Sequence, residues 1–193
     1  MLTAPFRINP ATGWLFGVKR TYSPNFDARP AGASLDLIVV HGISLPPGEY
    51  GGSGIESLFL NCLDPKAHPY FREIVDLRVS SHALIRRDGE LVQFVAFGDR
   101  AWHAGASCYK GRDACNNFAI GIELEGTDSE PYSDAQYGAL VAVILALQEA
   151  YPSLRAADVV GHSDIAPGRK TDPGPSFDWG RLNRGLAAGV TAT

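Results

Sequence analysis

The stretch LDLIVVHG, residues 35–42, decides the fold, because it is the clearest buried strand in the sequence. It is a short apolar run rich in β-branched residues, bounded by turn-forming segments, and it ends at His41 and Gly42. A second short run, Val159-Val160-Gly161, has the same character and ends at His162. Both histidines are therefore predicted to lie at strand ends.

Two further patterns predict strands around this core. Residues 118–125, FAIGIELE, alternate large apolar residues with small or acidic ones, so one face is expected to pack while the other carries Glu123. Residues 79–97 predict a hairpin around the turn at Asp88-Gly89, because Asp-Gly between apolar runs favours a tight turn.

Three segments favour helices. The segment IESLFLNCLDP, residues 55–65, predicts a short helix that Pro65 stops. Ser133 and Gln136 have capping-box spacing before an apolar run that reaches about Ala150, and a last helix is expected from about Asp178. With the strands, these helices predict one α/β domain over residues 1–193, with a central mixed sheet flanked by helices. Residues 1–34, rich in Pro and turn formers, are expected to form an irregular N-terminal wrap.

Composition limits the classes of partner and compartment. The 193 residues are 45% hydrophobic and 20% charged, as in folded globular proteins. The net charge of −4, with scattered Lys and Arg, argues against a nucleic-acid partner. Three cysteines are too few for a disulfide framework, and neither a signal peptide nor a membrane span is recognisable. We therefore expect a cytoplasmic protein with no membrane partner.

Two histidines and one aspartate are candidate metal ligands. Catalytic zinc is typically held by three protein ligands with one position open to water, and His41, His162 and Asp172 could supply such a set. Pro173 biases Asp172 towards extended backbone, so the loop can return it to His162. A lone histidine is more often a hydrogen-bonded core residue, and His68 and His82 could compete as ligands, so counting histidines gives no unique choice.

Other candidates follow from charge and position. Glu123, in an otherwise apolar strand, is a candidate general base, although an ion-paired strand glutamate is about equally common. Glu125, nearer the strand end, fits that alternative better. Lys170 would project to the same side of an extended loop as Asp172 and could stabilise an oxyanion, but a solvated surface lysine is the commoner case.

Three more residues are candidates for binding a substrate. Trp102 offers a platform for a sugar ring or peptide, and a buried structural tryptophan is at least as common. Arg78 and Arg112 could meet a peptide carboxylate, with surface arginine as the alternative for both.

Several motifs closely resemble the zinc N-acetylmuramoyl-L-alanine amidases, a family that includes phage amidases and peptidoglycan recognition proteins. Within that family the resemblance is to the cytoplasmic amidases of anhydro-muramyl peptides. The motifs extend from about residue 14 to 180 and read VVHGISLPPGEYGG, DPKAHPYF, RVSSHALIRRDGELVQFV, RAWHAGAS, IGIELEGTD, GHSDIAPGRKTDPGP and FDW.

The resemblance implies roles for individual residues. It places His41, His162 and Asp172 on the Zn²⁺ ligand positions, Glu123 on the catalytic acid/base, and Lys170 on the group that stabilises the transition state. Tyr70 joins Arg78, Trp102 and Arg112 as a candidate substrate contact. The resemblance implies hydrolysis of the lactyl amide between anhydro-muramic acid and L-alanine of a muropeptide, during recycling of cell-wall fragments. We expect the protein to be a monomer.

The sequence departs from the resemblance at two positions. Gly42 stands where asparagine is expected, and Ala114 stands where a second arginine is expected. Two rival functions also remain: a peptidoglycan-fragment binding protein without catalysis, and a structural-zinc protein. The apparently complete ligand set argues against the first, and the lack of an obvious fourth protein ligand argues against the second. A secreted amidase would need an export signal or a wall-binding module.

Overall fold

The computed structural model describes residues 6–190, and twelve strands and five α-helices account for its regular structure. The strands are β1 (Ile8–Asn9), β2 (Trp14–Leu15), β3 (Lys19–Arg20), β4 (Phe26–Asp27), β5 (Leu37–Ile43), β6 (Ala83–Ile85), β7 (Leu91–Gln93), β8 (Arg100–Ala101), β9 (Cys108–Tyr109), β10 (Arg112–Asp113), β11 (Ala119–Glu125) and β12 (Asp158–Gly161). The α-helices are α1 (Gly54–Phe59), α2 (Phe71–Ile74), α3 (Asp134–Ala150), α4 (His162–Ile165) and α5 (Trp179–Val190). Two 3₁₀ turns cover Cys115–Asn117 and Pro152–Ala156.

A six-stranded mixed sheet forms the centre, in the order β12-β5-β11-β6-β7-β3. Strand β5 runs parallel to both β12 and β11, and β11 runs parallel to β6. Only β6 and β7 pair antiparallel in this sheet, as the two arms of the hairpin around Gly89. Because parallel strands end at the same sheet edge, the carboxyl ends of β5, β11 and β12 are brought together.

The period of two in β5 and β11 separates a packing face from a site face. Ile38, Val40, Ile120 and Ile122 pack with residues of α3 and α5 in the largest apolar cluster. The parallel register aligns Glu123 with His41 and Gly121 with Val39, so these residues share the opposite face. The predicted alternation is therefore confirmed. Every residue of β11 is nevertheless buried, so the acidic face is also covered.

Helix α3 begins where the sequence predicted. The Ser133 hydroxyl accepts from the Gln136 N–H at 3.1 Å, and the Gln136 side-chain oxygen accepts from the Ser133 N–H at 3.0 Å. These bonds satisfy two backbone donors that have no partner within the helix. The capping box is confirmed, and it fixes the helix that covers the packing face of the sheet.

Two expectations differ from the structure. Helix α1 ends at Phe59, well before Pro65, because Asn61 adopts a left-handed conformation with φ 59°. The N-terminal region is also less irregular than expected: β1 and β2 form a hairpin, β3 joins the main sheet, and β4 pairs with β8. Residues 1–5 lie outside the described residues. Among residues 6–190, no helix combines the length and apolarity that crossing a bilayer requires.

Candidate metal centre and active site

Three side-chain atoms converge at the carboxyl ends of β5 and β12. The Nδ1 atoms of His41 and His162 are 2.9 Å apart. The Asp172 Oδ2 atom lies 3.3 Å from the first and 3.1 Å from the second. The loop that follows α4 returns Asp172 to this point, where the Asp172 carbonyl accepts from the Ser163 N–H at 3.0 Å. Sequence reasoning named all three residues, and the structure brings them together.

The spacing of these donors fits a tetrahedral cation. Ligand bonds of about 2.0–2.1 Å to zinc place two donors of a tetrahedron roughly 3.3 Å apart. The three observed separations are close to that value. Among the described residues this is the one group of three His, Cys, Asp or Glu side chains with donor atoms close enough to share a metal ion. Two imidazoles and one carboxylate form a typical donor set for catalytic zinc.

The Nε2 atom of each histidine, on the side of the ring away from the donor group, also has a partner. The His162 Nε2 atom lies 3.1 Å from the Ala104 carbonyl, which only accepts, so Nε2 carries the proton and Nδ1 keeps its lone pair. The His41 Nε2 atom lies 2.9 Å from the His103 Nδ1 atom. Partners of this kind fix the tautomer and the ring orientation of metal ligands.

The electrostatics keep the ligands in their metal-binding forms. Burial lowers the pKa of His41 to about 4, so its ring is neutral at pH 7. Burial by itself would raise the pKa of the Asp172 carboxyl, but its close contacts with the His162 and His41 rings lower that pKa well below its usual range. Neutral imidazole and ionised carboxylate are the forms that bind a metal ion.

Glu123 lies beside this group on the site face of β11. Glu123 is 8% exposed, and its Oε2 atom is buried without a hydrogen-bond partner among the described residues. Burial raises its pKa well above the usual value, the Asp172 charge adds to that increase, and Lys170 opposes it. A buried carboxyl that is not used for an ion pair is a candidate for proton transfer. Glu125 is the ion-paired residue, because its carboxylate accepts from Arg86 at 2.9 Å.

A cavity of about 290 Å³ opens over these groups. Its polar lining includes the metal-ligand group, Glu123 and Lys170. Its mainly apolar lining includes Leu58, Phe59, Tyr70, Ile74, Leu77 and Trp102. The cavity therefore combines apolar surface with a few reactive polar groups, as is typical of substrate sites.

The remaining predicted contacts divide between the cavity and other surfaces. Tyr70 and Trp102 line the cavity, whereas Arg78 and Arg112 are not among its lining residues. The Arg78 guanidinium donates to the Val75 and Leu77 carbonyls. Arg112 pairs with Asp36 at 2.7 Å and stacks on the Phe118 ring. In this structure both guanidinium groups therefore contact other residues of the protein outside the cavity.

The two departures from the family resemblance have different surroundings. A side chain at Gly42 would project onto the Tyr132 hydroxyl, which donates to the Pro173 carbonyl at 3.0 Å. Tyr132 thus fills the space beside Gly42 and supports the backbone next to Asp172. Ala114 is exposed, has φ 57°, and does not line the cavity.

The competing histidines have other partners. His82 accepts from the Gly121 N–H at its Nδ1 atom and donates from its Nε2 atom to the Asp99 carbonyl. His68 accepts from the Tyr70 N–H on the surface. Spacing and counting along the chain did not separate these residues from the candidate ligands, because they do not report direction in the fold. The partner role of His103 was missed for the same reason.

Metal-free protein is expected to lose stability as the pH falls from about 6.5 to 4. Burial lowers the pKa of His41 to about 4 and that of His82 to about 3. The unfolded chain would protonate both rings near pH 6.5, so within this window it binds more protons than the folded chain. At about 1.4 kcal/mol per pKa unit, the loss should reach several kcal/mol.

Urea unfolding of metal-free protein at several pH values tests this prediction. The variant His68→Asn should give the same pH dependence, because His68 is only partly buried and its contact with the Tyr70 N–H lies on the surface. A free energy of unfolding that stays constant between pH 7 and 4.5 would contradict the prediction.

Comparison with known proteins identifies the family of this chain. Residues 31–175 match the family model described as N-acetylmuramoyl-L-alanine amidase. The chain is 60% identical over 170 residues to the 1,6-anhydro-N-acetylmuramyl-L-alanine amidase AmpD of Escherichia coli (strain K12), which covers 88% of this chain and 92% of the relative.

Solved structures show the same relationship. A crystal structure of a selenomethionine AmpD derivative has a TM-score of 0.89 and 56% identity, and the match covers 93% of this chain and 98% of that one. The amidase AmiD from E. coli, solved in complex with the substrate anhydro-N-acetylmuramic acid-L-Ala-D-gamma-Glu-L-Lys, has a TM-score of 0.57 and 25% identity. That match covers 95% of this chain and 66% of that one. The mixed α/β fold is confirmed, and the chain belongs to the N-acetylmuramoyl-L-alanine amidase family.

Proposed function

We propose that this protein is a zinc-dependent amidase that hydrolyses the lactyl amide between 1,6-anhydro-N-acetylmuramic acid and L-alanine of the stem peptide in peptidoglycan recycling. The observation that carries the proposal is the convergence of the His41, His162 and Asp172 donor atoms beside the buried carboxyl of Glu123. The 60% identity to the 1,6-anhydro-N-acetylmuramyl-L-alanine amidase of Escherichia coli supports the substrate.

The donor set supports zinc as the metal. When bound, zinc supplies a water ligand of lowered pKa and polarises the scissile carbonyl. Glu123 takes a proton from the attacking water at its carboxylate and then delivers that proton to the leaving nitrogen of L-alanine. The burial of Glu123 excludes bulk water from this transfer.

Lys170 is proposed to stabilise the developing oxyanion. It lines the cavity together with the metal-ligand group and Glu123, and the structure gives its ammonium group no salt-bridge partner among the described residues. Its charge also acts on Glu123, where it favours the ionised carboxylate. A positive charge at this position favours the transition state over the neutral amide, which is the requirement for catalysis.

The apolar lining of the cavity is proposed to hold the sugar and the lactyl group. Tyr70 and Trp102 belong to this lining and offer aromatic surface in the cavity that contains the reactive groups. To contact the peptide, the guanidinium groups of Arg78 and Arg112 must first leave the partners described above. All the proposed catalytic groups belong to one chain, which supports a monomer as the acting unit. The family resemblance supports the cytoplasm as its location.

A direct assay tests the proposal. Zinc-loaded and chelator-treated protein are incubated with anhydro-muramyl tripeptide, and the products are identified by mass spectrometry. Free tripeptide should form with the zinc-loaded protein, disappear on chelation, and return when zinc is restored. Binding of the muropeptide without hydrolysis by verified zinc-loaded protein would favour the non-catalytic binding protein instead.

A further inference from the structure

The two candidate histidine ligands are supported in different ways. His162 donates to a backbone carbonyl, that of Ala104, whose position follows from the chain trace. His41 instead contacts the side chain of His103, the residue immediately before Ala104. The orientation of the His41 ring therefore depends on a second side chain, which can be changed by mutation.

The structure holds His103 firmly in this position. The side-chain oxygen of Asn116 accepts from the backbone N–H groups of both His103 and Ala104, at 3.2 and 2.8 Å. The His103 ring lies over Gly121, where a Cβ atom would collide with the ring. The lack of a side chain at Gly121 provides the space that the imidazole occupies. Asn116 and Gly121 together fix the segment that supports both candidate histidine ligands.

The direction of the hydrogen bond follows from the donor set. The His41 Nδ1 atom faces His162 and Asp172, so it must keep its lone pair when a metal ion is bound. The neutral His41 ring then carries its proton on Nε2 and donates it to the His103 Nδ1 atom, 2.9 Å away. His103 in turn carries its own proton on Nε2, which is buried without a partner among the described residues.

We propose that His103 is a positioning residue that accepts the Nε2–H of His41 and so holds the His41 Nδ1 atom towards the metal. The inference rests on the proposed zinc site and adds a residue to it. His103 does not touch the metal ligand position itself, and its effect is transmitted through His41. Such a partner raises the basicity of the ligand and removes the cost of ordering its ring on metal binding.

Two substitutions of similar size separate hydrogen bonding from packing. His103→Asn keeps an acceptor, because its amide oxygen is one bond from Cγ, as Nδ1 is in histidine. His103→Leu has nearly the same shape and no acceptor. Zinc affinity is measured by competition with a chromophoric chelator, and the visible absorption of the cobalt(II) form reports the ligand geometry. Thermal unfolding of the metal-free variants reports their folding.

His103→Leu should weaken zinc binding by about 10- to 100-fold, the usual effect of losing such a partner, and should alter the cobalt(II) spectrum. His103→Asn should retain most of the affinity and a spectrum close to that of the wild type. Equal zinc affinity of the two variants, whether at the wild-type level or below it, would overturn the inference. Wild-type protein that binds no zinc would overturn the proposed function and this inference with it.

Discussion

Replacement of Glu123 by glutamine is expected to lower kcat by about 10²–10⁴-fold, the contribution typical of a general acid/base. Glutamine keeps the shape of the side chain but cannot accept the proton from the attacking water. Because Glu123 is not one of the three converging donors, the zinc content should remain that of the wild type. Steady-state hydrolysis of anhydro-muramyl tripeptide, with metal analysis of the same samples, measures both quantities.

Glu149→Gln serves as the matched control for this prediction. Glu149 is an exposed glutamate on α3, the helix on the packing face of the sheet, so the control should retain wild-type kcat. If Glu123→Gln kept a substantial part of the wild-type turnover, Glu123 would not be the proton acceptor. The buried position of its carboxyl would then need another explanation.

Replacement of Asp172 by asparagine should abolish stable zinc binding, and activity with it. The carboxylate supplies the only negative charge among the three donors, and its Oδ2 atom contacts both histidines. An amide is of similar size but is neutral and a poor zinc ligand. Removing a hydrogen-bond partner of a metal ligand lowers metal affinity by at most roughly 100-fold. Removing a ligand itself should lower zinc affinity by more than that.

Zinc competition titration of Asp172→Asn measures this effect, with Asp76→Asn as the matched control on an exposed position. The control should bind zinc as the wild type does. Zinc affinity of Asp172→Asn within tenfold of the wild type would show that the metal is held elsewhere. High zinc concentration should restore part of the activity of Asp172→Asn if ligand loss, and not misfolding, is the cause.

Several elements were predictable because their signals are local. The buried strand ending at His41, the hairpin around Gly89 and the capping box of α3 each depend on neighbours within a few residues. The family resemblance also implied the roles of the candidate metal ligands and of Glu123, and the structure brings these side chains into one cavity. The length of α1 was overestimated, because Asn61 adopts a left-handed conformation and the helix ends before Pro65.

The sequence alone thus predicted the central buried strands, the starts of α3 and α5, and the candidate site residues. The tertiary structure decided which of the five histidines face one another, because the parallel register of β5, β11 and β12 sets those distances. It also decided that Arg78 and Arg112 are bonded away from the cavity and that His103 supports His41. Periodicity reports which face of an element a residue occupies, whereas contacts between distant segments depend on how those faces pack.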